Sequence, residues 1–459
     1  MKRLILVFVT IISASCSFDN KTGIWKDATS TPVVDRGAES ILNNEPKTRY
    51  ESIFTKNKPF NEEIEVVNPQ NLESNTPTKL ANWMEEYGVP TNNISNYFYN
   101  NNKVLLFKSR KLSKIPAKDN YSKRRFVFYK DNLISYDHKG KIFIYSLSLR
   151  KKVFEYNFYK KKFKKFNKEI YLIVNENILY AADNLGYLYA FNLDNNSIIW
   201  AKNYGIPFRS NLKFSSTQLF LANQDNVVYS INPSTGDKNW EFATSQTFLK
   251  SDFINNFSID LINNNLLFLN TSGELYSINY LSKKINWVLN FKNPSLGGDG
   301  DIELFLSKPT VIKNDTMVIT TEKAILSYDA LGASRNWNFS AESIFKPIIT
   351  LNYTYAILKN NLLICLENEK GTVIWSKDIF SNVESKKVIK NFKPVVDFKI
   401  VNDKINVYSK NGYLLSFNSR NGNLISESRI SKNGISSKVV FLDGDMLFID
   451  NKNKLLKYN

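Results

Sequence analysis

The chain has 459 residues and a formal net charge of +18, with 61 Lys and Arg against 43 Asp and Glu. Its 43% hydrophobic and 14% aromatic content excludes a mainly disordered chain, and no internal apolar run reaches the roughly 18 residues of a membrane-spanning helix. Two cysteines and one histidine exclude a disulfide scaffold and a Cys/His zinc cluster, and they leave little material for nucleophilic catalysis. We therefore expect neither an enzyme nor a metal site. Two explanations of the positive charge remain open. The protein binds an anionic partner, or its many lysines reflect the composition of an AT-rich genome.

The first residues have the order of a secretory signal peptide. Two basic residues follow the initial Met, an apolar run covers residues 4–12, and small residues at 13–15 precede Cys16. This order predicts a signal peptide over residues 1–15. Cys16 is then either incidental or lipidated. A cysteine at this place is similar to a bacterial lipobox, which implies that Cys16 carries the lipid anchor of the mature chain.

Residues 16–75 are predicted to form a flexible tether, because they are polar, contain several prolines and show no periodic apolar pattern. Such a segment lets a lipid-anchored domain stand away from its membrane. Ser17, rather than an aspartate, follows Cys16. By resemblance to bacterial lipoproteins, this residue implies the outer membrane rather than the inner one.

A repeat with constant internal spacing fills the rest of the chain. Each copy begins at a turn residue, continues as a short alternating strand and ends at an aromatic residue 14 positions later. The copies begin at Gly140, Gly186, Asn226, Gly273, Lys323, Asn361, Gly412 and Asn453. The copies end at Phe154, Trp200, Trp240, Trp287, Trp337, Trp375 and, without an aromatic ring, Ser426; the last copy is truncated.

This repeat predicts an all-β fold, an eight-bladed β-propeller of four-stranded antiparallel blades over residues 76–459. Gly and Asn tolerate the left-handed backbone of a tight turn, and an alternation of period two buries one face of a strand. The copies lie roughly 38 to 51 residues apart, which is the length of a four-stranded blade. Because the last copy stops after one strand, a strand from the N-terminal side must close the ring. Trp83 is predicted to mark that closing strand.

The copies resemble the PQQ-like repeat, whose consensus is matched well by Asn232, Thr235, Gly236 and Trp240. Together with the lipobox, the tether and eight blades, the chain resembles the BamB family, which are lipoproteins of the β-barrel assembly machinery. The stretch around Trp83 and Gly88 is similar to the first segment of alphaproteobacterial members. The resemblance implies a periplasmic scaffold on the outer membrane, monomeric within a hetero-complex, whose partner is the periplasmic part of the central barrel-inserting subunit. It implies no cofactor and no nucleic acid.

In that family, loops at one rim of the propeller bind the partner, and they follow the tryptophans of blades three and four. The corresponding segments are residues 244–253 and 292–308. Ordinary solvated loops are the alternative interpretation, and the sequence does not decide which rim binds. By resemblance, the candidate partner-binding residues are Phe248, Leu249, Lys250, Asp299 and Asp301.

Two other functions compete with this interpretation. Related propellers are quinoprotein dehydrogenases, which carry an adjacent cysteine pair and a calcium site, whereas Cys365 stands alone in an apolar strand and is predicted to be a core residue. Residues 150–168 hold nine basic residues among aromatics. That pattern suits lipopolysaccharide or anionic lipid in an exported protein, or it is simply solvated charge.

Overall fold

The computed structural model describes residues 16–18, 25–27, 60–67, 75–113, 124–137, 139–159, 163, 166–215, 217–246, 256–291 and 305–459. Two short strands, β1 (Cys16–Phe18) and β2 (Trp25–Asp27), pair antiparallel. No helix within these ranges is long and apolar enough to cross a membrane.

Eight four-stranded antiparallel sheets follow, and each is one blade. Blade 1 consists of β4 (Phe126–Tyr129), β5 (Asn132–Tyr136), β6 (Lys141–Ser146) and β7 (Lys151–Asn157). Blade 2 consists of β8 (Ile170–Asn175), β9 (Ile178–Asp183), β10 (Tyr187–Asn192) and β11 (Ser197–Asn203). Blade 3 consists of β12 (Lys213–Ser215), β13 (Gln218–Ala222), β14 (Val227–Ile231) and β15 (Lys238–Ala243). Blade 4 consists of β16 (Asn256–Asp260), β17 (Asn265–Leu269), β18 (Glu274–Asn279) and β19 (Lys284–Asn290).

The second half of the ring repeats this plan. Blade 5 consists of β20 (Val311–Lys313), β21 (Thr316–Thr320), β22 (Ile325–Asp329) and β23 (Arg335–Phe339). Blade 6 consists of β24 (Ile348–Ile349), β25 (Tyr353–Ile357), β26 (Leu362–Glu367) and β27 (Val373–Asp378). A short helix, α1 (Lys386–Phe392), leads to blade 7, which consists of β28 (Val395–Val401), β29 (Lys404–Ser409), β30 (Tyr413–Asn418) and β31 (Leu424–Arg429). Blade 8 consists of β32 (Val440–Leu442), β33 (Asp445–Ile449), β34 (Leu455–Tyr458) and the N-terminal strand β3 (Leu105–Lys108).

The first strand of each blade lies next to the axis of the ring, since β4, β8, β12, β16, β20 and β24 contact one another in succession. The middle strands are almost entirely buried, whereas outer strands such as β7 and β11 are largely exposed. This arrangement confirms the predicted eight-bladed propeller.

The two faces of the propeller carry different connections. We call the connection face the side where the chain passes from the outer strand of one blade to the inner strand of the next, as in residues 204–212. We call the turn face the opposite side, which carries the turns between third and fourth strands, such as residues 232–237. The repeat starts lie on the connection face, where Gly140 and Gly186 adopt φ values of 83° and 87°.

In blades 2, 4, 5 and 6 the aromatic residue at the end of the repeat joins its blade to the next one. Trp200 of blade 2 lies against the β14–β15 turn of blade 3, and its indole Nε1 donates to the Pro233 carbonyl at 2.8 Å. The ring is so close to Gly236 that a Cβ there would lie 2.7 Å from Trp200 Cε3. The same contact with the next blade's turn recurs at Trp287, Trp337 and Trp375.

The ring closes through an N-terminal strand, as predicted, but Trp83 does not mark that strand. β3 pairs with β34, and Phe107 lies opposite Lys457. In the repeat numbering this is the position at which Trp200 lies opposite Ala190. Phe107 therefore takes the place of the missing aromatic residue, and its ring lies 5.6 Å from the guanidinium of Arg150 in the turn of blade 1. Trp83 is instead buried beside the inner strand of blade 1.

Residues 60–67, which lie within the predicted tether, run along the outer edge of blade 6. Ile64 and Ser376 of β27 exchange two backbone hydrogen bonds of 3.0 Å. Glu65 forms an ion pair with Lys377, and Phe60 packs on Phe339 of blade 5. This segment covers an edge that would otherwise be free to pair with another strand.

Replacing Phe107 with Ala is expected to lower the free energy of unfolding by roughly 3 to 5 kcal/mol, because it removes a buried ring at the closure of the propeller. Chemical denaturation measures this loss. The control is Leu106→Ala on the same strand, where the side chain is 42% exposed and the loss should stay near 0.5 kcal/mol. Equal losses in the two variants would show that Phe107 does not close the ring.

Candidate functional site on the connection face

Residues 80–100 form a continuous segment that contacts the inner strands of the whole ring, and we call it the hub segment. Its backbone meets one blade after another: Trp83 exchanges two hydrogen bonds of 2.8 Å with Phe128, and the Met84 carbonyl accepts from Val174 N. Further bonds of the same kind reach Ile259, Ile312, Ile400, Asp443 and Gly444. The hub segment thereby satisfies backbone groups on inner strand edges that have no neighbouring strand.

Two asparagine side chains connect the hub segment to blades 4, 5 and 6. Asn92 Nδ2 donates to the carbonyls of Phe257 and Thr310 at 2.8 and 2.9 Å. The Asn93 amide both donates to the Ile349 carbonyl and accepts from the Ile349 amide, at 2.9 and 3.0 Å. All these groups are buried. The side-chain amide of Asn has both a donor and an acceptor, like the backbone peptide group. Asn at both positions can therefore pair with the free backbone groups of the inner strands.

Glu85 forms a buried ion pair with blade 3. Lys213 Nζ donates to Glu85 Oε1 at 2.5 Å, to Asn92 Oδ1 at 2.7 Å and to the Val89 carbonyl at 3.1 Å. All three ammonium hydrogens thus have an acceptor. Burial raises the pKa of Glu85 and lowers that of Lys213, and their mutual attraction opposes both shifts.

Glu86 joins blades 1 and 8. Its carboxylate lies 2.9 Å from Arg125 Nε and 2.8 Å from Lys438 Nζ, and the side chains of Glu86 and Arg125 are almost completely buried. Burial acts to raise the pKa of Glu86, but Lys438 and Arg125 together hold it below its usual value. The carboxylate is therefore ionised at neutral pH and serves two cations.

Lys346 adds a further positive charge at the same end of the channel. It precedes β24, as Arg125 precedes β4 and Lys438 precedes β32, so all three approach the axis from the connection face. Lys346 has no hydrogen bond or ion pair with any residue in the described ranges. Burial, reinforced by the nearby Lys399, lowers the pKa of Lys346 to about 7.

The described ends of both predicted partner loops lie on the connection face, because one loop joins β15 to β16 and the other joins β19 to β20. The second connection, residues 291–310, is much longer than the corresponding residues 340–347 between β23 and β24. Where the structure describes their bases, Thr244 is buried and donates to the Asn226 carbonyl at 2.8 Å. Phe305 stacks against Phe291 with centroids 5.8 Å apart.

The structure describes some of the predicted site residues and not others. Phe248, Leu249, Lys250, Asp299 and Asp301 lie outside the described residues. Cys16 begins β1, and its side chain is likewise outside them. Cys365 is buried opposite Trp375, and burial raises the pKa of its thiol. Within the described part of the chain, no group of three or more His, Cys, Asp and Glu side chains could hold a metal ion.

Several basic residues of the stretch 150–168 are engaged within the propeller. Lys152 forms an ion pair of 2.5 Å with Glu155, and Lys168 Nζ donates to the Phe166 carbonyl at 2.7 Å. Together with Arg150 on Phe107, these contacts favour a structural role for the described part of this stretch.

The acids and amides of the hub segment are not predicted as a site from the sequence. Trp83 is predicted to close the ring, and the stretch that contains Gly88, Asn92 and Asn93 is noted only for its resemblance to the first segment of alphaproteobacterial members. The useful signal was two adjacent acidic residues, Glu85 and Glu86, beside a tryptophan in a segment with no strand pattern.

Comparison with known proteins identifies what this architecture is similar to. A family model described as "Outer membrane protein assembly factor BamB" matches residues 156–377. A protein of that name from Legionella pneumophila (strain Paris) is 34% identical over 79 residues, which are 17% of this chain and 19% of the relative. Another from Yersinia pestis is 21% identical over 290 residues, which are 57% of this chain and 67% of the relative.

Solved structures show the same fold. The crystal structure of BamB from Moraxella catarrhalis superposes with a TM-score of 0.59 at 11% identity, covering 78% of this chain and 100% of that one. The computationally designed Ika8 protein superposes with a TM-score of 0.52 at 11% identity, covering 76% of this chain and 99% of that one.

Replacing Glu86 with Gln is expected to lower the free energy of unfolding at pH 7 by roughly 3 to 5 kcal/mol, because Arg125 and Lys438 lose their buried counter-charge. Since the folded-state pKa of Glu86 lies below its ordinary value of 4.5, the carboxylate's contribution is complete above that value and lost as the pH falls through the folded-state pKa. The deficit of the variant, measured by denaturation across pH, should therefore shrink below pH 4.5.

The matched control is Glu241→Gln, which removes an exposed partner of Lys238 and should change stability by less than about 0.5 kcal/mol. A Glu86→Gln deficit that is equally small, or that does not vary with pH, would contradict the ion triad of Glu86, Arg125 and Lys438.

Proposed function

Because this chain is a BamB-like PQQ-repeat propeller, we propose that it is a lipid-anchored periplasmic scaffold of the outer-membrane β-barrel assembly machinery. In this proposal, residues 1–15 are the signal peptide, residues 16–75 are the tether and residues 76–459 are the propeller. The partner is the periplasmic part of the central barrel-inserting subunit, and the chain is one copy within that hetero-complex. It works by binding, not by catalysis.

The observation that supports the proposal is that the described ends of both candidate loops lie on the connection face, at the same end of the ring as Arg125 and Lys438. A long loop on a rigid blade is a typical way to present contact residues. Asn92 of the hub segment binds Phe257 and Thr310, which follow the two loops in the chain. Because Glu86 pairs with two cations, one positive charge is left over at this end, and it favours a partner with an acidic surface.

The triple variant Phe248→Ala, Leu249→Ala and Lys250→Ala is expected to weaken capture of the purified periplasmic domains of the barrel-inserting subunit at least tenfold, because it removes apolar area and a charge from one loop. The thermal unfolding midpoint should not change. The matched control is Leu281→Ala, Ser282→Ala and Lys284→Ala in the β18–β19 turn, which lies on the turn face. Unchanged capture by the first variant, or equal loss in both, would contradict the proposed interface.

Cys16→Ser is expected to release the protein from membranes into the soluble periplasmic fraction, because no thiol remains for acylation. Ser17→Asp keeps Cys16 and should move the protein from the outer to the inner membrane fraction. Density-gradient fractionation with immunodetection measures both outcomes. A Cys16→Ser protein that still sediments with the outer membrane would contradict lipid anchoring at Cys16.

A further inference from the structure

One blade in the ring lacks the aromatic residue that joins it to its neighbour. In blade 7, Ser426 lies opposite Ser416, at the register position where Trp375 of blade 6 lies opposite Cys365. The other seven blades carry an aromatic residue there. The seam between blades 7 and 8 is therefore built without a ring that is present at every other seam.

A cavity of about 360 Å³ lies at this seam. It is formed by both blades and opens on the turn face, since it includes the β28–β29 turn and the N-terminal chain before β3. Its volume is within the range of roughly 300 to 1,000 Å³ that is typical of ligand sites. Its lining residues include Val401, Leu414, Ser426, Phe441, Met446 and Tyr458.

The cavity exists because the ring is closed here by the two ends of the propeller chain. Every other blade offers a turn between its third and fourth strands, and in blades 1, 3, 5, 6 and 7 the preceding aromatic ring packs on that turn. Blade 8 has no such turn, since Val104 and Asn459 meet only through backbone hydrogen bonds of 3.2 and 3.0 Å. A tryptophan at position 426 would thus have no turn to cover, and the space is left between the blades.

Tyr99 lines the cavity from the N-terminal chain before β3. The residue is 7% exposed, and its hydroxyl is buried beside the Lys103 backbone. Burial raises the pKa of Tyr99 to about 12, so the hydroxyl stays protonated and adds no negative charge beside the cavity.

The charges around the cavity all have one sign. Lys103, Lys404 and Arg429 are lining residues, and no Asp or Glu is among the lining residues that the structure describes. The Arg429 guanidinium is held at the opposite, connection-face end of its strand, where it lies 5.1 Å from the centre of the Tyr413 ring and donates to the Lys432 carbonyl at 3.1 Å. Lys103 and Lys404 are therefore the two cations at the turn-face end, and cations beside an apolar space suit a carboxylate next to a ring.

We propose that this seam cavity binds the C-terminal aromatic residue of another polypeptide. Its ring occupies the place of the missing tryptophan between blades 7 and 8, and its terminal carboxylate faces Lys103 and Lys404. Capture of a C-terminal carboxylate is a recurring mode of peptide recognition. The site lies on the turn face, whereas the described ends of the candidate partner loops lie on the connection face. The two proposals are therefore tested independently of each other.

The test measures binding of the peptide acetyl-Gly-Gly-Phe with a free carboxylate to the mature, unlipidated chain by isothermal titration calorimetry at low salt. We expect a dissociation constant of about 0.1 to 1 mM, which is reasonable for a ligand of this size. The same peptide as its C-terminal amide, and acetyl-Gly-Gly-Ala with a free carboxylate, should each bind at least tenfold more weakly. Equal binding of all three peptides, or no binding of the first, would overturn the proposal.

Variants then locate the site. Ser426→Trp fills the cavity, so it should abolish binding, whereas Ile199→Trp adds the same ring to the exposed outer strand of blade 2 and should leave binding unchanged. Lys404→Gln adds no bulk, so it should weaken binding of the free-carboxylate peptide severalfold and leave binding of the C-terminal amide peptide unchanged. If Ser426→Trp does not fold, the Lys404→Gln variant tests the location of the site by itself. A folded Ser426→Trp protein, or a Lys404→Gln protein, that binds like the wild type would place the peptide elsewhere.

Discussion

The contact between an outer-strand aromatic residue and the turn of the next blade is the interaction on which the ring depends. A four-stranded sheet cannot bury both of its faces alone, so each blade needs its neighbours on either side. The register makes the contact reproducible, because a bulge follows the aromatic position in the ladders of blades 1 to 7. Phe107 extends the same register to the closing strand, which joins the two ends of the propeller chain at that position.

The hub segment pairs with backbone groups of the inner strands that the blades themselves leave without hydrogen-bond partners. Inner strands of a propeller have one edge without a neighbour, and unpaired backbone groups in a narrow channel are costly. Residues 80–100 satisfy such groups around the ring and bring Glu85 and Glu86 to the lysines and arginine that approach from the connection face. The same contacts that close the channel thus fix the bases from which the candidate partner loops extend.

The blades could be predicted from the sequence because their signal is local and repeated. Spacing between Gly186 and Trp200 needs no knowledge of distant residues, and each copy supports the others. Ring closure was assigned to Trp83 because tryptophan marks the repeat end elsewhere, whereas the closing strand carries Phe107 in a stretch with no recognisable turn start. The hub was beyond prediction for a different reason. Asn92 acts through carbonyls at positions 257 and 310, and no local pattern connects residues so far apart.

Residues 60–67 occupy the outer edge of blade 6 and leave other surfaces of the ring uncovered. They join β27 there, so they contact the propeller at its circumference. The contacts are directional: backbone pairing at Ile64 sets the position, and the carboxylate of Glu65 on Lys377 sets the register. An attachment at the circumference leaves the connection face and the turn face uncovered at this point. The described ends of the candidate loops lie on the connection face and the seam cavity opens on the turn face, so residues 60–67 cover neither of the two proposed sites.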